Sequence, residues 1–250
     1  MGQNLIRPKI DGSNCIVVVP AFNEEKSLGS VLAGLVESGL QCVVIDDGST
    51  DGTSRIARQF PVDLLRLPVN FGVGGALRLG FKFAIANNFE AAIQFDADGQ
   101  HEHHEIESLF REANASGADL VIGSRFRSTT IGQEISFSRR VAMSALASMA
   151  TRYTNTRITD STSGFRLVRR PLLEEFASHL PTHYLGDTFE ALVLTGRAKY
   201  QVTEVATRMS KRAFGSSSAS RFAAVSLIAR AVLAVLFRLS QPFESSSNRS

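Results

Sequence analysis

The sequence predicts an α/β protein with a mostly parallel sheet flanked by helices. Two observations support this: there are six short apolar runs, and the first five alternate with helix-length stretches, as parallel strands joined by helical crossovers do. The first run, residues 15–20, is continuously apolar, which is typical of a strand covered on both faces. The runs end near Pro20, Asp46, Leu67, Asp96, Gly123 and Leu167. Ligands of open α/β sheets bind outside the carboxyl ends of the strands, so we expect the functional site there.

The stretches between the strands carry helix signals. Residues 24–37 and 53–60 have helical spacing, and the side-chain oxygens of residues 49–51 suit the cap of the second helix. The glycine-rich turn at residues 70–75 opens the helix after strand three and allows a ligand to approach the backbone closely. Near the end of the chain, a Ser-rich link precedes an apolar helical segment at residues 221–239.

Composition narrows the class of protein. The chain has 250 residues, 44% of them hydrophobic and 20% charged, which fits one large globular domain; we expect it at residues 15–215, between an N-terminal tail (1–14) and a C-terminal segment (216–250). A net charge of +3 without a run of Lys or Arg argues against nucleic acid as a partner. Cys15 and Cys42 lie in apolar runs and are expected to be reduced core residues. With no signal-peptide pattern at residues 1–14, these features predict a cytoplasmic location.

Asp96 and Asp98 are the principal candidates for chemistry. They close strand four, where the period of two places both carboxylates on one side and Gly99 lets the chain turn away. Two hard oxygen ligands suit Mg²⁺ or Mn²⁺, which often keep only one or two protein carboxylates while binding the phosphates of a substrate. An Asp-x-Asp pair is also common in solvated turns, so the interpretation depends on the neighbouring strand ends.

Those neighbouring strand ends are also polar. Asp46 and Asp47 close strand two, and residues 22–25 follow strand one with an amide and two carboxylates. Such groups can hydrogen-bond a base or a ribose. Asp46 and Asp47 can equally cap the helix that begins near Thr53, and the residues alone leave both readings open.

Six motifs in this order resemble the family 2 glycosyltransferases of the GT-A (Rossmann-like) fold, particularly the branch of dolichol-phosphate mannose synthase and other polyprenyl-phosphate glycosyltransferases. The resemblance spans about residues 16–217 and ends in an Arg-x-x-Gly-x-Ser pattern that begins at Arg212. The motifs are VVVPAFNEE at 17–25, DDGSTDGT at 46–53, NFGVGGALRLGF at 70–81, DADGQH at 96–101, GSRF at 123–126 and TSGFR at 162–166.

The resemblance implies a metal-dependent, inverting transfer of a hexose from a nucleotide-diphosphate sugar. Asp98 and Gln100, with Asp96, would hold Mg²⁺ or Mn²⁺, and Arg212 would clamp the donor diphosphate, as a guanidinium can. The residues expected to bind the donor are Pro20, Ala21, Asn23, Glu24, Asp47, Gly75, Asp96 and Arg212.

The acceptor is left open between a lipid phosphate and a sugar hydroxyl. A phosphate needs cations to hold it, and the resemblance assigns this role to Arg125, to Arg139 or Arg140, and to Ser144. A hydroxyl needs a general base, for which Asp187 or Glu190 is the candidate. The processive Gln-x-x-Arg-Trp motif is missing, since the chain contains no Trp.

The apolar segment at residues 220–239 bears on how a lipid would be reached. It is about 30 Å long as a helix, but a central Arg230 would cost about 2.5–3.5 kcal/mol inside a bilayer. We therefore expect it to lie at the membrane surface or against a partner subunit. The favoured function is transfer to a polyprenyl phosphate at the cytoplasmic face of the membrane. Alternatives are transfer to a sugar or metabolite hydroxyl and, less favoured, a non-catalytic nucleotide-sugar-binding subunit.

Overall fold

The computed structural model describes residues 7–125, 137–180, 187–208 and 210. Arg212 and the expected C-terminal helix at 221–239 lie outside these ranges. The seven described strands are β1 (Cys15–Ala21), β2 (Gln41–Asp46), β3 (Asp63–Arg66), β4 (Ala91–Gln94), β5 (Leu120–Ser124), β6 (Arg166–Arg169) and β7 (Val202–Ala206). The α-helices are α1 (Leu28–Glu37), α2 (Thr53–Ala57), α3 (Val73–Ala86), α4 (Ile106–Ser116), α5 (Phe137–Thr154), α6 (Arg170–His179) and α7 (Asp187–Arg197).

The strands form one sheet in the order β3-β2-β1-β4-β6-β5-β7. β1 pairs in parallel with β2 and β4, β2 with β3, and β5 with β7. β6 runs antiparallel to both of its neighbours, β4 and β5. The predicted α/β class with a mostly parallel sheet is confirmed, and the reversal of β6 brings the loop before it to the edge where the other strands end.

Helices cover both faces of the sheet. Because successive strand residues point to opposite faces, Val18 joins an apolar core with residues of α3, α6 and α7, whereas Val17 and Val19 join another with residues of α1 and α4. This explains the continuous apolar run of β1. Cys15 and Cys42 are both buried with reduced thiols, as predicted, and burial raises the pKa of Cys42 to about 12.

Three elements differ from the sequence-based prediction. β4 ends at Gln94, so Asp96 and Asp98 lie in the turn beyond it rather than on the strand. The first helix begins at Leu28 rather than at residue 24, because the preceding residues bond to the loop after β2. β7 was not predicted at all.

The first described residues pack against the sheet rather than extending away from it. Ile10 is 1% exposed, and its backbone exchanges two hydrogen bonds with the side chain of Asn114 in α4. Arg7 pairs with Asp119 at 2.6 Å. Within the described ranges, no helix combines the length and apolar character that crossing a bilayer requires.

Candidate active site

The loops after β1 and β2 are bonded to each other at the carboxyl edge of the sheet. Asn23 adopts a left-handed backbone (φ +56°); its N–H donates to Ser49 Oγ at 3.0 Å, and its Oδ1 accepts from the N–H of Thr50 at 2.9 Å. The N–H of Glu24 donates to Thr53 Oγ1 at 2.8 Å. Asn tolerates this backbone region better than most residues, which accounts for its place in the turn. Asn23 and Glu24, in the loop that follows Pro20 and Ala21 of β1, are therefore held in a fixed position.

Asp46 stabilises the turn that leads into α2. It is fully buried, and its carboxylate accepts from the Ser49 N–H at 2.8 Å and from the Ser54 hydroxyl. Burial by itself would raise the pKa of Asp46, but these hydrogen bonds, with the charge of Arg66, outweigh it and the pKa is lowered. The sequence allowed two roles for Asp46, ligand binding and capping of the second helix. The hydrogen-bond partners of Asp46 lie in the turn before α2 and in its first residues, which supports the second role.

Asp47 fixes the loop that precedes α3. It is 3% exposed, and its Oδ1 accepts from the N–H of Phe71 at 2.7 Å. Burial raises the pKa of Asp47 in spite of the hydrogen bonds from the backbone of residues 71 and 72. Asp47, whose charged form is disfavoured by burial, therefore lies where the loops after β1, β2 and β3 meet.

The glycine-rich turn forms as predicted at the start of α3. Gly72 caps the helix at φ +81°, a conformation that favours glycine. A Cβ on Gly75 would lie 2.7 Å from the Cβ of Phe71, so the turn packs closely against this ring. Phe22 and Phe71 are 44% and 53% exposed, and they leave apolar surface beside these loops.

Asp96 is oriented by a buried histidine. Its Oδ2 lies 3.1 Å from Nε2 of His101, whose side chain is 1% exposed and stacks on Phe165 with ring centroids 5.0 Å apart. Burial acts to raise the pKa of Asp96, but the hydrogen bond and charge of His101, the hydrogen bond from Gln94 and the charge of Arg125 together outweigh it, so the pKa is lowered. Asp96 is 37% exposed and remains accessible to a ligand.

Asp98 and Gln100 follow in the same turn. Asp98 is 8% exposed, and its Oδ1 accepts from the N–H of Gln100 at 3.0 Å, while Gly99 has φ +76° as the turn requires. The part of the chain that the structure describes contains no group of three or more His, Cys, Asp or Glu arranged to hold a metal ion. Two carboxylates in one turn fit Mg²⁺ or Mn²⁺ only if phosphate oxygens and water supply the other ligands.

The loop before β6 closes against Asp96. A Cβ on Gly164 would lie 2.8 Å from Asp96 Oδ2 and 2.9 Å from Gln94 Nε2, so only glycine fits at this position without a shift of its neighbours. Ser163 Oγ donates to the carbonyl of Gly123 at 2.7 Å, which ties the loop to β5. The TSGFR motif thus lies against the Asp-x-Asp turn because β6 is reversed.

Arg125 is held at the end of β5 by a fully buried carboxylate. Its Nε and Nη2 donate to the two oxygens of Asp160 at 2.7 and 2.9 Å, and Nη2 also donates to Thr162 Oγ1 at 3.0 Å. Burial acts to lower the pKa of Arg125, but the bonds and charge of Asp160 outweigh it, and the charges of Asp96 and Asp98 act in the same direction. The guanidinium is 28% exposed in a locally acidic setting.

A second buried carboxylate, Glu204 of β7, holds the turn that carries Asp160. Its oxygens accept from the N–H groups of Thr159 (3.0 and 2.9 Å) and Asp160 (2.7 Å) and from the Thr159 hydroxyl (2.9 Å). The Thr159 hydroxyl also bonds to Ser124 Oγ at 2.9 Å, next to Arg125. Glu204 is 2% exposed.

The remaining predicted residues lie on α5 and α7 or outside the described ranges. Ser144 is exposed on α5, and Glu190 is 7% exposed on α7. Arg139 and Arg140 belong to α5 and Asp187 to the start of α7, but their side chains, like Arg212, lie outside the described residues. Sequence reasoning missed Asp160 and Glu204: the first stands two residues before the TSGFR motif, which was a usable signal, whereas nothing in the sequence singled out the second.

The fold and its acidic edge define a class of enzyme that transfers sugars from nucleotide-sugar donors. A family model described as glycosyl transferase family 2 matches residues 16–176, and the chain belongs to this family of glycosyltransferases. The predicted family, fold and enzyme class are thereby confirmed.

Relatives named for their activity include transferases to polyprenyl phosphates. The chain is 30% identical to a polyprenol monophosphomannose synthase of Mycolicibacterium smegmatis, with 82% of this chain and 80% of the relative covered. It is 26% identical to the UDP-N-acetylglucosamine–dolichyl-phosphate N-acetylglucosaminyltransferase of Methanococcus voltae (76% and 82%). It is also 33% identical to an uncharacterized protein of Methanocaldococcus jannaschii (81% and 84%).

Solved structures share the fold. The glucosyl-3-phosphoglycerate synthase of Mycobacterium tuberculosis, crystallised with Mn²⁺, UDP and glucosyl-3-phosphoglycerate, superposes with a TM-score of 0.66. The similarity covers 92% of this chain and 81% of that one at 20% sequence identity. At this identity the likeness supports the fold alone.

Proposed function

We propose that this glycosyltransferase moves a hexose from a nucleotide-diphosphate sugar to a polyprenyl phosphate, with inversion at the anomeric carbon. An oxygen of the acceptor phosphate attacks the anomeric carbon, the bond from that carbon to the diphosphate oxygen breaks, and the nucleoside diphosphate leaves. The catalytic domain would span residues 15–215. The observation that carries the proposal is Arg125, a fixed guanidinium at the carboxyl edge near Asp96 and Asp98.

The donor side of the proposal rests on the loops after β1, β2 and β4. Pro20, Ala21, Asn23 and Glu24, with Asp47, Gly75 and Arg212, would bind the nucleotide and its diphosphate. Asp96, Asp98 and Gln100 would hold Mg²⁺ or Mn²⁺, which supplies charge stabilisation for the leaving diphosphate. The partial exposure of Asp96 and its orientation by His101 support a ligand-binding role.

The acceptor side rests on Arg125, with Arg139 or Arg140 and Ser144 as further ligands. A phosphate oxygen is already ionised and needs no general base, whereas a cation with a planar fork of donors can orient it. The relatives named as polyprenyl-phosphate transferases support this acceptor class. We further propose that residues 216–250 attach the chain to the cytoplasmic membrane surface or to a membrane-bound subunit.

A second candidate function is transfer to a hydroxyl of a sugar or small metabolite. One observation favours it: Nη1 of Arg166, the first residue of β6, donates to the carbonyl of Thr188 at 3.0 Å and so anchors the first turn of α7, which carries Asp187 and Glu190, to that strand. A base on this helix would be needed only for a hydroxyl acceptor.

The test is donor turnover by purified protein with Mn²⁺, using a panel of nucleotide sugars with and without a short-chain polyprenyl phosphate. We expect product only with the lipid phosphate. The unphosphorylated polyprenol is the matched control for the phosphate group, and 3-phosphoglycerate represents a hydroxyl acceptor. Glycosylation of 3-phosphoglycerate without use of the lipid phosphate would establish the second function in place of the first.

A further inference from the structure

Glu204 is a buried carboxylate whose hydrogen bonds determine the position of groups at the carboxyl edge of the sheet. It is 2% exposed on β7, the strand at the end of the sheet beyond β5. A buried carboxylate is costly unless hydrogen bonds compensate for its lost hydration. Here the compensation comes from the backbone N–H groups of Thr159 and Asp160 and from the hydroxyl of Thr159.

The residues that Glu204 binds are the ones that position Arg125. The N–H of Asp160 donates to Glu204 at 2.7 Å, and the carboxylate of Asp160 receives two bonds from the Arg125 guanidinium. The Arg125 N–H also donates to Asp160 at 3.3 Å, so the backbone of β5 is tied to the same group. Thr162 adds a brace, because it accepts from Arg125 and donates to Asp160 at 3.1 Å.

Charge supports an indirect role. Arg125 is surrounded by the carboxylates of Asp160, Asp96 and Asp98, so without a fixed geometry it would be attracted toward any of them. The bidentate pair with Asp160 keeps Arg125 from moving toward Asp96 or Asp98, provided that Asp160 is itself fixed. Glu204 fixes it through its hydrogen bonds to the turn at residues 159–160.

We propose that Glu204 is a positioning residue for acceptor recognition, acting on Arg125 through the turn formed by Thr159 and Asp160. This inference rests on the proposed function, because it takes Arg125 as a ligand of the acceptor phosphate. Glu204 is 79 positions from Arg125 in the sequence, and it lies on a strand that contains none of the six motifs.

The test begins with Glu204→Gln. The amide would present an N–H₂ group to backbone N–H donors and weaken the turn. We expect the KM for a short-chain polyprenyl phosphate to rise about tenfold, since bonds to a charged group are lost. Affinity for UDP and GDP, measured by calorimetry with Mn²⁺, should stay within about twofold, because the donor loops bond to other residues. Unchanged acceptor KM, or an equal loss of nucleotide affinity, would overturn the proposal.

A matched control in α4, Glu112, contacts the opposite face of the same strand. Glu112 accepts from the hydroxyl of Thr203, the neighbour of Glu204, at 2.8 Å and has no described link to Arg125. Glu112→Gln should therefore leave the acceptor KM unchanged. A rise equal to that of Glu204→Gln would mean that any weakening of β7 has this effect and would refute positioning.

A double-mutant cycle with Arg125→Lys separates positioning from a general structural effect. Lysine keeps the charge beside Asp160 but loses the planar fork, so we expect acceptor kcat/KM to fall about 10–100-fold. In that background Glu204→Gln should have little further effect, because its route to the acceptor is already broken. Fully additive effects would overturn the Glu204 proposal alone. No effect of Arg125→Lys on acceptor use would overturn the proposed acceptor role and this inference with it.

If Glu204→Gln does not fold, Thr159→Val provides the second variant. It removes the hydroxyl that bonds to Glu204 and to Ser124, and it keeps the backbone N–H donors of Thr159 and Asp160 to Glu204. The acceptor KM should rise in the same direction by a smaller factor, and an unchanged value in a folded protein would contradict the proposal.

Discussion

Nε2 of His101 lies 3.1 Å from Oδ2 of Asp96, and the histidine ring is stacked on Phe165 and in edge contact with Phe95. This contact fixes the direction in which Asp96 presents its carboxylate. Among the described atoms, Nδ1 of the same ring has no hydrogen-bond partner, so the hydrogen bond that the structure gives this buried ring is the one with Asp96.

His101→Phe should reduce turnover while the fold is retained. The phenyl ring can keep the stack on Phe165 but cannot bond to Asp96. We expect turnover to fall by about 10–100-fold, the range for removing a group that orients a metal or diphosphate ligand. Initial rates and thermal unfolding of both proteins check this. Wild-type rates in the variant would show that Asp96 needs no such support.

Asp98→Asn should abolish metal-dependent turnover, by at least about 100-fold. The amide oxygen of Asn can still accept from the Gln100 N–H, so the turn should survive. The metal role is measured separately from activity by titrating Mn²⁺ and following its electron paramagnetic resonance signal in the presence of UDP or GDP. Wild-type activity at saturating Mn²⁺ or Mg²⁺, or unaltered Mn²⁺ binding, would remove Asp98 from the metal site.

Gly164→Ala should displace Asp96, because the added Cβ would lie 2.8 Å from its Oδ2. Overpacking of this kind costs about 1–3 kcal/mol, and we expect a loss of turnover larger than the loss of stability explains. Gly29→Ala in α1 is the matched control, since its Cβ would meet Ile56 at an ordinary 3.6 Å. The control should gain about 0.5–1 kcal/mol from helix propensity and keep full activity.

No loss of stability in Gly164→Ala relative to Gly29→Ala, or normal turnover in Gly164→Ala, would show that Asp96 has room to move. Thermal unfolding and initial rates of the two variants give this comparison directly.

Asp47→Asn should separate stability from donor binding. Burial raises the pKa of Asp47, so its charged form is less favourable in the folded chain than in the unfolded chain. The asparagine variant should therefore unfold at a higher temperature at neutral pH. The gain in stability of the variant over the wild type should shrink as the pH falls through the raised pKa of folded Asp47 toward 3.8, the ordinary pKa of an aspartate. Below that pH, Asp47 is protonated in both the folded and the unfolded chain.

The same variant should bind nucleotide about tenfold more weakly or worse, if the charge of Asp47 accepts hydrogen bonds from the donor. Calorimetry with UDP and GDP measures this. Unchanged affinity together with raised stability would restrict Asp47 to holding the loop before α3.

Much of the fold was readable from the sequence because the first five strands are marked by local apolar runs. β7 was missed because Thr203 and Glu204 interrupt its apolar pattern, and Glu204 is buried only because it bonds to a turn more than 40 residues away. The direction of β6 depends on its pairing with β4 and β5 and could not be predicted from its own four residues. The local sequence pattern predicts that a strand is present, whereas its pairing with neighbouring strands decides its direction.

The candidate site was predictable where its residues lie at strand ends in sequence. Asp96 and Asp98 are two residues apart in the chain, and the structure places both in one turn. Arg125 was identified from its motif, but its pairing with Asp160 joins residues 35 positions apart and required the reversal of β6. For Asp46 the strand-end position was a weaker guide. It was a candidate ligand as an acid at the end of a strand, but the structure gives it hydrogen-bond partners within the protein.

The place of β7 has a consequence for how the enzyme comes into being during translation. Residues of the donor loops are synthesised first and bond mainly to one another, whereas the turn at 159–160 waits for a strand that begins at Val202. In a nascent or prematurely terminated chain that stops before β7, the turn at 159–160 would lack the carboxylate of Glu204, and Arg125 would lose the support that this carboxylate gives to Asp160.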